Sequence, residues 1–235
     1  MRALLPQIPL FADLEPAEID LLYRLVKTRV YSKGAMILQE DDPGDALFMI
    51  VSGRAKVVHL SEDGREIILD ILGQGDFFGE MALLDQEPRS ANVTAIEPSE
   101  LLVLERSAFL GQVVREPKIA IKMLIELSRR LRRADEKIQD LVLLDVYGRV
   151  ARALLRLARK QGRPLEDGFI ITRRPTHQEL ADMVGASRET VSRVLADLNR
   201  RGVVRSNGRT LIIENGEEML QRIRRGHRPG RVGLG

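Results

Sequence analysis

The sequence predicts an α+β chain in three parts: an N-terminal antiparallel β jelly roll or barrel, a long helix able to form a coiled coil, and a C-terminal winged helix-turn-helix. Three observations carry that expectation. Short apolar segments between residues 35 and 105 are cut by turn signals about every eight to eleven residues. From Pro117 to Leu144 the apolar residues recur at steps of four and three. Between Thr176 and Gly202, two helical segments with capping residues flank Gly185.

Composition sets the frame. At 235 residues the chain suits two domains, each able to bury a core. It has no cysteine, which excludes disulfides and thiolate sites for zinc or an iron–sulfur cluster. The N-terminus, MRALLPQIPL, lacks the uninterrupted apolar region of a signal peptide, and no apolar run is long enough to span a membrane. A soluble, cytoplasmic protein with no membrane partner is expected. Residues 1–144 hold 18 Lys+Arg against 24 Asp+Glu, a net of −6, and residues 145–235 hold 19 against 10, a net of +9. That asymmetry points to a polyanionic partner for the second half.

In chain order, IPLFADLEPAEIDLLYRLVKTRVY reads as one short amphipathic helix beginning at Asp13 or Pro16, with Ile19, Leu22 and Val26 on one face. The segments AMILQE, ALFMIVS, RAKVVHL, REIILDIL, ANVTAI and ELLVLE read as strands. Pro43-Gly44-Asp45, Gly53, Asp63-Gly64 and Gly73-Gln74-Gly75 separate them. Ser107 to Arg115 makes a brief helix. In the helix 117–144, Ala120, Leu124, Leu127, Leu131, Ala134, Ile138 and Leu141 form a left-handed coiled-coil seam ~33 Å long. Packing on its own domain is the other use of such a stripe. DVYGRVARALLRLARKQG follows as a helix capped by Asp145, with Val150, Leu154, Leu155 and Ala158 on its core face, and FIITRR as a short strand.

Two stretches carry chemistry. In GDFFGEMALLDQEPRSANV, residues 75–93, Gly79 permits close backbone approach and Glu80 offers an acceptor for a sugar hydroxyl. A helical turn at 80–84 would aim free N–H groups at an anion. Arg89 supplies a planar guanidinium for a phosphate, and Ser90 a hydroxyl. A surface turn with a Glu–Arg pair would use the same residues singly, but not in this ordered set. The second stretch is THQELADMVGASRETVSRVLADLNRRG, residues 176–202. Thr176 and Glu179 make a capping box, Gly185 makes the turn, and Ser187 caps a helix exposing Arg188, Glu189, Thr190 and Arg193. Val191, Val194, Leu195 and Leu198 face inward. VVRSNGRTLIIE reads as a two-stranded wing turning at Asn207-Gly208.

The FGE…PRSA cassette resembles the phosphate-binding cassette of cyclic-nucleotide-binding domains. With the long helix and SRETVSR, it makes the chain similar, from Ile8 to about Ile213, to the catabolite activator branch of the CRP/FNR transcription regulators. That resemblance implies a jelly-roll cyclic-nucleotide-binding domain at 1–116, a dimerisation helix at 117–144, a winged helix-turn-helix at 145–220 and a basic tail at 221–235. It implies that Glu80 takes the ribose 2′-hydroxyl, that Arg89 and Ser90 take the cyclic phosphate, and that Gly79, Met81 and Ala82 line the site. It places Ala134 and Asp135 where the family's helix carries two hydroxyl residues toward the adenine amino group. Alanine cannot make that bond, and a carboxylate accepts equally from adenine or from guanine N1 and N2. Cyclic AMP ranks first as effector and cyclic GMP second, with a constitutive factor or one answering cyclic di-GMP as the alternative.

The resemblance also makes Arg188, Glu189 and Arg193 base readers and Gln178, Ser187 and Thr190 phosphate contacts. Double-stranded DNA with an inverted repeat of TGTGA-like half-sites is the implied partner of a homodimer. RNA polymerase is a further candidate partner: Lys27 and Arg29 match the activator's basic residues, whereas Gln161 to Asp167 departs from the activating loop. The absence of cysteine excludes the iron–sulfur branch. Of three histidines only His59 falls in the first half, where it reads as a surface residue rather than a haem ligand. No metal is expected. Nor is an enzyme: GxxxxGK[ST], HExxH and GxSxG are all missing.

Overall fold

The computed structural model describes residues 2–166, 168–208 and 210–214. The expected tail at 221–235 and the end of the winged domain, from residue 215, lie outside the described residues. The chain divides into two compact units between Leu131 and Arg132.

In the first unit, 3₁₀ turns at Arg2–Gln7 and Pro9–Phe11 lead to helix α1 (Pro16–Leu25). Pro16 takes the first turn, and Glu15 and Glu18 form a capping box. Eight strands follow: β1 (Lys27–Tyr31), β2 (Met36–Leu38), β3 (Ala46–Ser52), β4 (Ala55–Leu60), β5 (Glu66–Leu72), β6 (Phe77–Phe78), β7 (Asn92–Ala95) and β8 (Ser99–Glu105). Helix α2 (Glu80–Asp85) lies between β6 and β7, α3 (Arg106–Arg115) follows β8, and α4 (Lys118–Leu143) begins in this unit and continues into the second. The strands make two antiparallel sheets, ordered β1-β8-β3-β6 and β2-β7-β4-β5. That is a jelly roll.

Strand β3 explains the layering. Its first six residues are all buried, so the run ALFMIV shows no polar alternation. Ala46, Phe48 and Ile50 meet Ala55, Leu72 and Val93 of the opposing sheet, while Leu47, Met49 and Val51 turn to the other face. There they pack with Leu10, Phe11, Leu22, Phe109, Ile119 and Met123 from the helical layer. Strand β8 does the same, with Leu101 and Val103 on one side and Leu102 and Leu104 on the other. A strand covered on both faces needs apolar residues at every position.

Sequence and structure differ at β1. KTRVY was expected to extend the first helix, yet it pairs residue by residue with Ser99–Val103 of β8. β-Branched Thr28 and Val30 favour the strand, and the edge of β8 supplies the hydrogen-bond partners that a helix would otherwise make internally. The two-residue β6 carried no strand period to detect.

Helix α4 divides its apolar residues between buried and exposed positions. Ile119 and Met123 are buried, and Leu127 packs partly against the same core. Leu124, Leu131 and Ile138, seven residues apart, are 61%, 64% and 59% exposed. They leave an unpartnered apolar stripe.

The second unit is built on α5 (Val146–Gln161), α6 (His177–Val184) and α7 (Arg188–Arg200), with β9 (Arg163–Leu165), β10 (Gly168–Ile171), β11 (Val204–Asn207) and β12 (Thr210–Glu214). Val150, Leu154, Leu155 and Ala158 of α5 meet Leu180 and Val184 of α6 and Val191, Val194, Leu195 and Leu198 of α7, as the sequence predicts. The wing is larger than expected. FIITRR pairs through β10 with both β12 and β9, giving one sheet in the order β11-β12-β10-β9. Asn207 pairs with Thr210, so the hairpin turns just after Asn207.

Candidate functional site

The cassette runs from β6, on the first sheet, to β7, on the second. Gly79 sits at φ +81, a left-handed conformation that lets the chain leave β6 and enter α2 at once. A Cβ there would come within 2.7 Å of Arg89 Nη1, and one on Gly44 within 2.4 Å of Arg89 Nε. Both glycines are therefore cut to fit one guanidinium.

Arg89 and Glu80 are 5% and 4% exposed. Arg89 donates from Nη1 to Gly79 O at 2.8 Å and from Nη2 to Ala46 O at 3.1 Å. Its Nε is buried without a hydrogen-bond partner. Burial lowers the Arg89 pKa, and Asp45 and Glu80 oppose the shift, yet among the described residues Arg89 makes no ion pair. A buried cation hydrogen-bonded only to carbonyls, with a donor unfilled, has the chemistry to receive an anion. Backbone bonds from Arg89 N to Asp42 O and from Asp41 N to Arg89 O anchor the loop at 2.8 and 2.9 Å.

Glu80 accepts from Arg130 Nη1 of α4 at 2.9 Å, and Arg130 Nη2 donates to Phe77 O at 2.5 Å. The Arg130 guanidinium lies 4.6 Å from the Phe77 ring centre, a cation–π contact. Nothing local in the sequence sets Arg130 apart from the other charges of α4. The available signal was its place one helical turn before Ala134, with a buried carboxylate elsewhere that required a cation.

Gly79, Glu80, Met81, Ala82, Arg89 and Ser90 thus come together. Ala82 is buried, Met81 and Ser90 are exposed, and Ser90 Oγ lies 3.5 Å from Met81 Sδ. Ala134 and Asp135 belong to the second unit, where both are exposed.

In the second unit α6 and α7 are joined through Gly185 at φ +62. The capping box forms as expected: Thr176 Oγ1 accepts from Glu179 N at 3.1 Å, and Thr176 N donates to Glu179 Oε2 at 2.7 Å. Ser187 Oγ accepts from Thr190 N at 3.2 Å. Arg188, Glu189 and Arg193 are exposed along one end of α7, with Arg193 Nη2 donating to Thr190 Oγ1 at 3.2 Å. Hydrogen bonds from its own backbone, then from Ser187, hold Glu189 below its usual carboxylate range. It stays an acceptor at neutral pH. Gln178 is exposed and donates to Asp182 at 2.8 Å.

The cyclic nucleotide-binding domain family matches residues 28–116, and the Crp-like helix-turn-helix domain family matches residues 148–223. A CRP-like cAMP-activated global transcriptional regulator of Mycobacterium tuberculosis is 36% identical over 224 residues, covering 95% of this chain and all of that protein. The chain belongs to the CRP/FNR family. It is a CRP-like cyclic-nucleotide-responsive transcription regulator with a DNA-binding helix-turn-helix, and it is not an enzyme. The cyclic AMP receptor protein of Thermus thermophilus is 43% identical over 197 residues, 84% of this chain and 88% of that protein. Among solved structures, the c-di-GMP responsive regulator CLP of Xanthomonas campestris superposes with a TM-score of 0.71 at 27% identity, over 86% of this chain and all of that one. No helix of the described residues is long and apolar enough to cross a membrane.

A polar contact joins α6 to α7. Arg174 Nη1, which can only donate, lies 3.5 Å from His177 Nε2, so Nδ1 carries the proton and donates to Ser192 Oγ at 2.8 Å. Burial, then Arg174 and Arg188, lowers the His177 pKa. The unfolded chain therefore binds this proton more readily than the folded one. Its penalty is absent above about pH 6.5 and grows as pH falls through that value. Thermal melts of wild type and His177→Gln from about pH 8 to pH 5 should diverge, with the variant losing less stability in acid. Parallel curves would show that His177 titrates alike in both states.

Proposed function

We propose that this chain is a cytoplasmic homodimer that binds cyclic AMP in the cassette and, so loaded, binds an inverted repeat of TGTGA-like half-sites. The observation that carries the ligand reading is the buried Arg89 with its unfilled Nε, beside a buried Glu80. Arg89 turns Nε and one Nη to the cyclic phosphate, Ser90 adds its hydroxyl, and backbone at Gly79 and Met81 completes the seat, with Ala82 beneath it. Glu80, held by Arg130, accepts from the ribose 2′-hydroxyl. The exposed stripe on α4 pairs with a second copy, and the ligand acts by its differential affinity for two arrangements of that pair. Recognition helices ~34 Å apart then meet successive major grooves.

On DNA, Arg188 and Arg193 read guanines and Glu189 accepts from a cytosine amino group. Ser187, Thr190 and Gln178 meet phosphates. Lys27 and Arg29, on the exposed strand β1, are the residues we assign to contact with RNA polymerase. Cyclic GMP is the second reading. The carboxylate of Asp135 supports it, since guanine presents N1–H and N2–H₂ together to two acceptor oxygens.

Arg89→Leu should lower nucleotide affinity at least ~100-fold, because charge-assisted bonds of about 1.5–3 kcal/mol each are lost. Calorimetry against cyclic AMP reads the change, and wild-type affinity in a folded variant would remove Arg89 from the site. Arg188→Ala should cost about 1–3 kcal/mol and relax one base position, whereas Gln178→Ala should weaken all sequences alike. Binding to palindromic and scrambled duplexes across a salt series separates the two, and equal wild-type affinity for both would refute specific readout. The pair Ala134→Thr with Asp135→Ser should shift the ratio of cyclic AMP to cyclic GMP affinities. A constant ratio would place Asp135 away from the base.

A further inference from the structure

Three ionisable side chains among the described residues are buried: Glu80, Arg89 and Asp140. The first two belong to the cassette, and the third has no part in it. Asp140 lies one turn before the end of α4, 5% exposed, although Ile138, Leu141, Val142 and Leu143 around it are all exposed. The final turns of α4 thus bury a carboxylate and leave their apolar residues outside.

The side chains facing Asp140 come from α5. Arg152 and Arg156 stand four residues apart, and so on one face of that helix. Arg156 Nη1 donates to Asp140 Oδ2, and Arg152 Nε lies 3.8 Å from Oδ1. The Arg152 Nε is buried without a hydrogen-bond partner, so Arg152 contributes charge rather than a bond. Between Leu143 and Val146 the chain leaves one helix and enters the next. Asp145 caps α5 by accepting from Gly148 N at 2.8 Å, and Arg149 Nη1 reaches Leu144 O at 3.4 Å.

An ion pair on a buried carboxylate adds little net stability over an apolar pair of equal size, but it has strong directional demands. An apolar contact here would let α5 slide or roll against α4 at small cost. A carboxylate hydrogen-bonded to Arg156, with the charge of Arg152 one turn away, constrains both angle and register. The junction is also the covalent link between the helix that bears Ala134 and Asp135 and the helix-turn-helix.

We propose that Asp140, with Arg156 and Arg152, is the latch that holds α5 at a set angle to α4 and so makes operator affinity depend on nucleotide. Asp140 is a positioning residue that touches neither ligand nor DNA. The inference rests on the nucleotide-gated reading above.

The test uses the full-length protein with cyclic AMP and a palindromic duplex. Asp140→Asn keeps shape and removes the charge; Arg156→Gln does so from the other side. Calorimetry should give wild-type affinity for cyclic AMP in both. Fluorescence anisotropy should show operator affinity at saturating cyclic AMP reduced on the order of tenfold, with ligand-free affinity little changed, so that the ratio of the two collapses. The double variant should lose no more than either single one, because the two act as a unit.

Singles that fold and keep the wild-type ratio would overturn the latch. Should a single variant melt early, Asp140→Leu with Arg156→Met refills the space without charge. A collapsed ratio in that stable protein supports the latch, whereas a wild-type ratio assigns the pair to packing alone and overturns it. A wild type whose operator affinity ignores cyclic AMP would defeat the gating reading itself, and that is seen before any variant is made.

Discussion

Strands β3 and β8 can lie at the centre of the first unit only because Ala46–Val51 and Leu101–Leu104 are apolar at every position, and the cassette is suspended from that constraint. Ala46, the first residue of β3, lends its carbonyl to Arg89. Phe48, two residues on, stacks with Phe78 at 5.4 Å between ring centres and lies 5.8 Å from the Arg89 guanidinium. Phe77, the neighbour of Phe78 on β6, carries Arg130 on its ring. The core side of the sheet therefore fixes the strands, and the strands fix the donors.

The electrostatics follow from that rigidity. A buried carboxylate or guanidinium is tolerated only when paired or hydrogen-bonded, and stripping one partner from a buried pair costs about 3–5 kcal/mol. Glu80 meets that demand through Arg130, and Arg89 meets part of it through two carbonyls. The unfilled Nε of Arg89 is the remainder. In the proposed site, much of the affinity for an anion would come from a deficit already present in the folded chain, with little reorganisation needed to use it.

Periodic and local signals were legible in the sequence; long-range ones were not. The capping box at Thr176, the cap at Asp145 and the inward face of α7 each depend on residues within four positions, and all three were read correctly. KTRVY was misread because its fate is set by β8, some seventy residues away. The four-stranded wing was half seen for the same reason, since β9 has three residues and no pattern of its own. In the cassette the ordered set Gly79, Glu80, Arg89 and Ser90 could be read as chemistry. Arg130 could not, because a charge on a charged helix declares its role only when the fold brings it to Phe77 and Glu80. Asp140 was invisible on the same grounds.

The apolar stripe of α4 has a consequence for how such a regulator is dosed. In the proposed dimer, Leu124, Leu131 and Ile138 are covered only when two chains meet. Their burial is then a mass-action quantity, and the number of chains per cell sets how much competent protein exists. Effector level and gene dosage would multiply rather than add. A cell that doubled synthesis of this chain while dimers were scarce would gain more than twofold in loaded operator at the same cyclic nucleotide concentration.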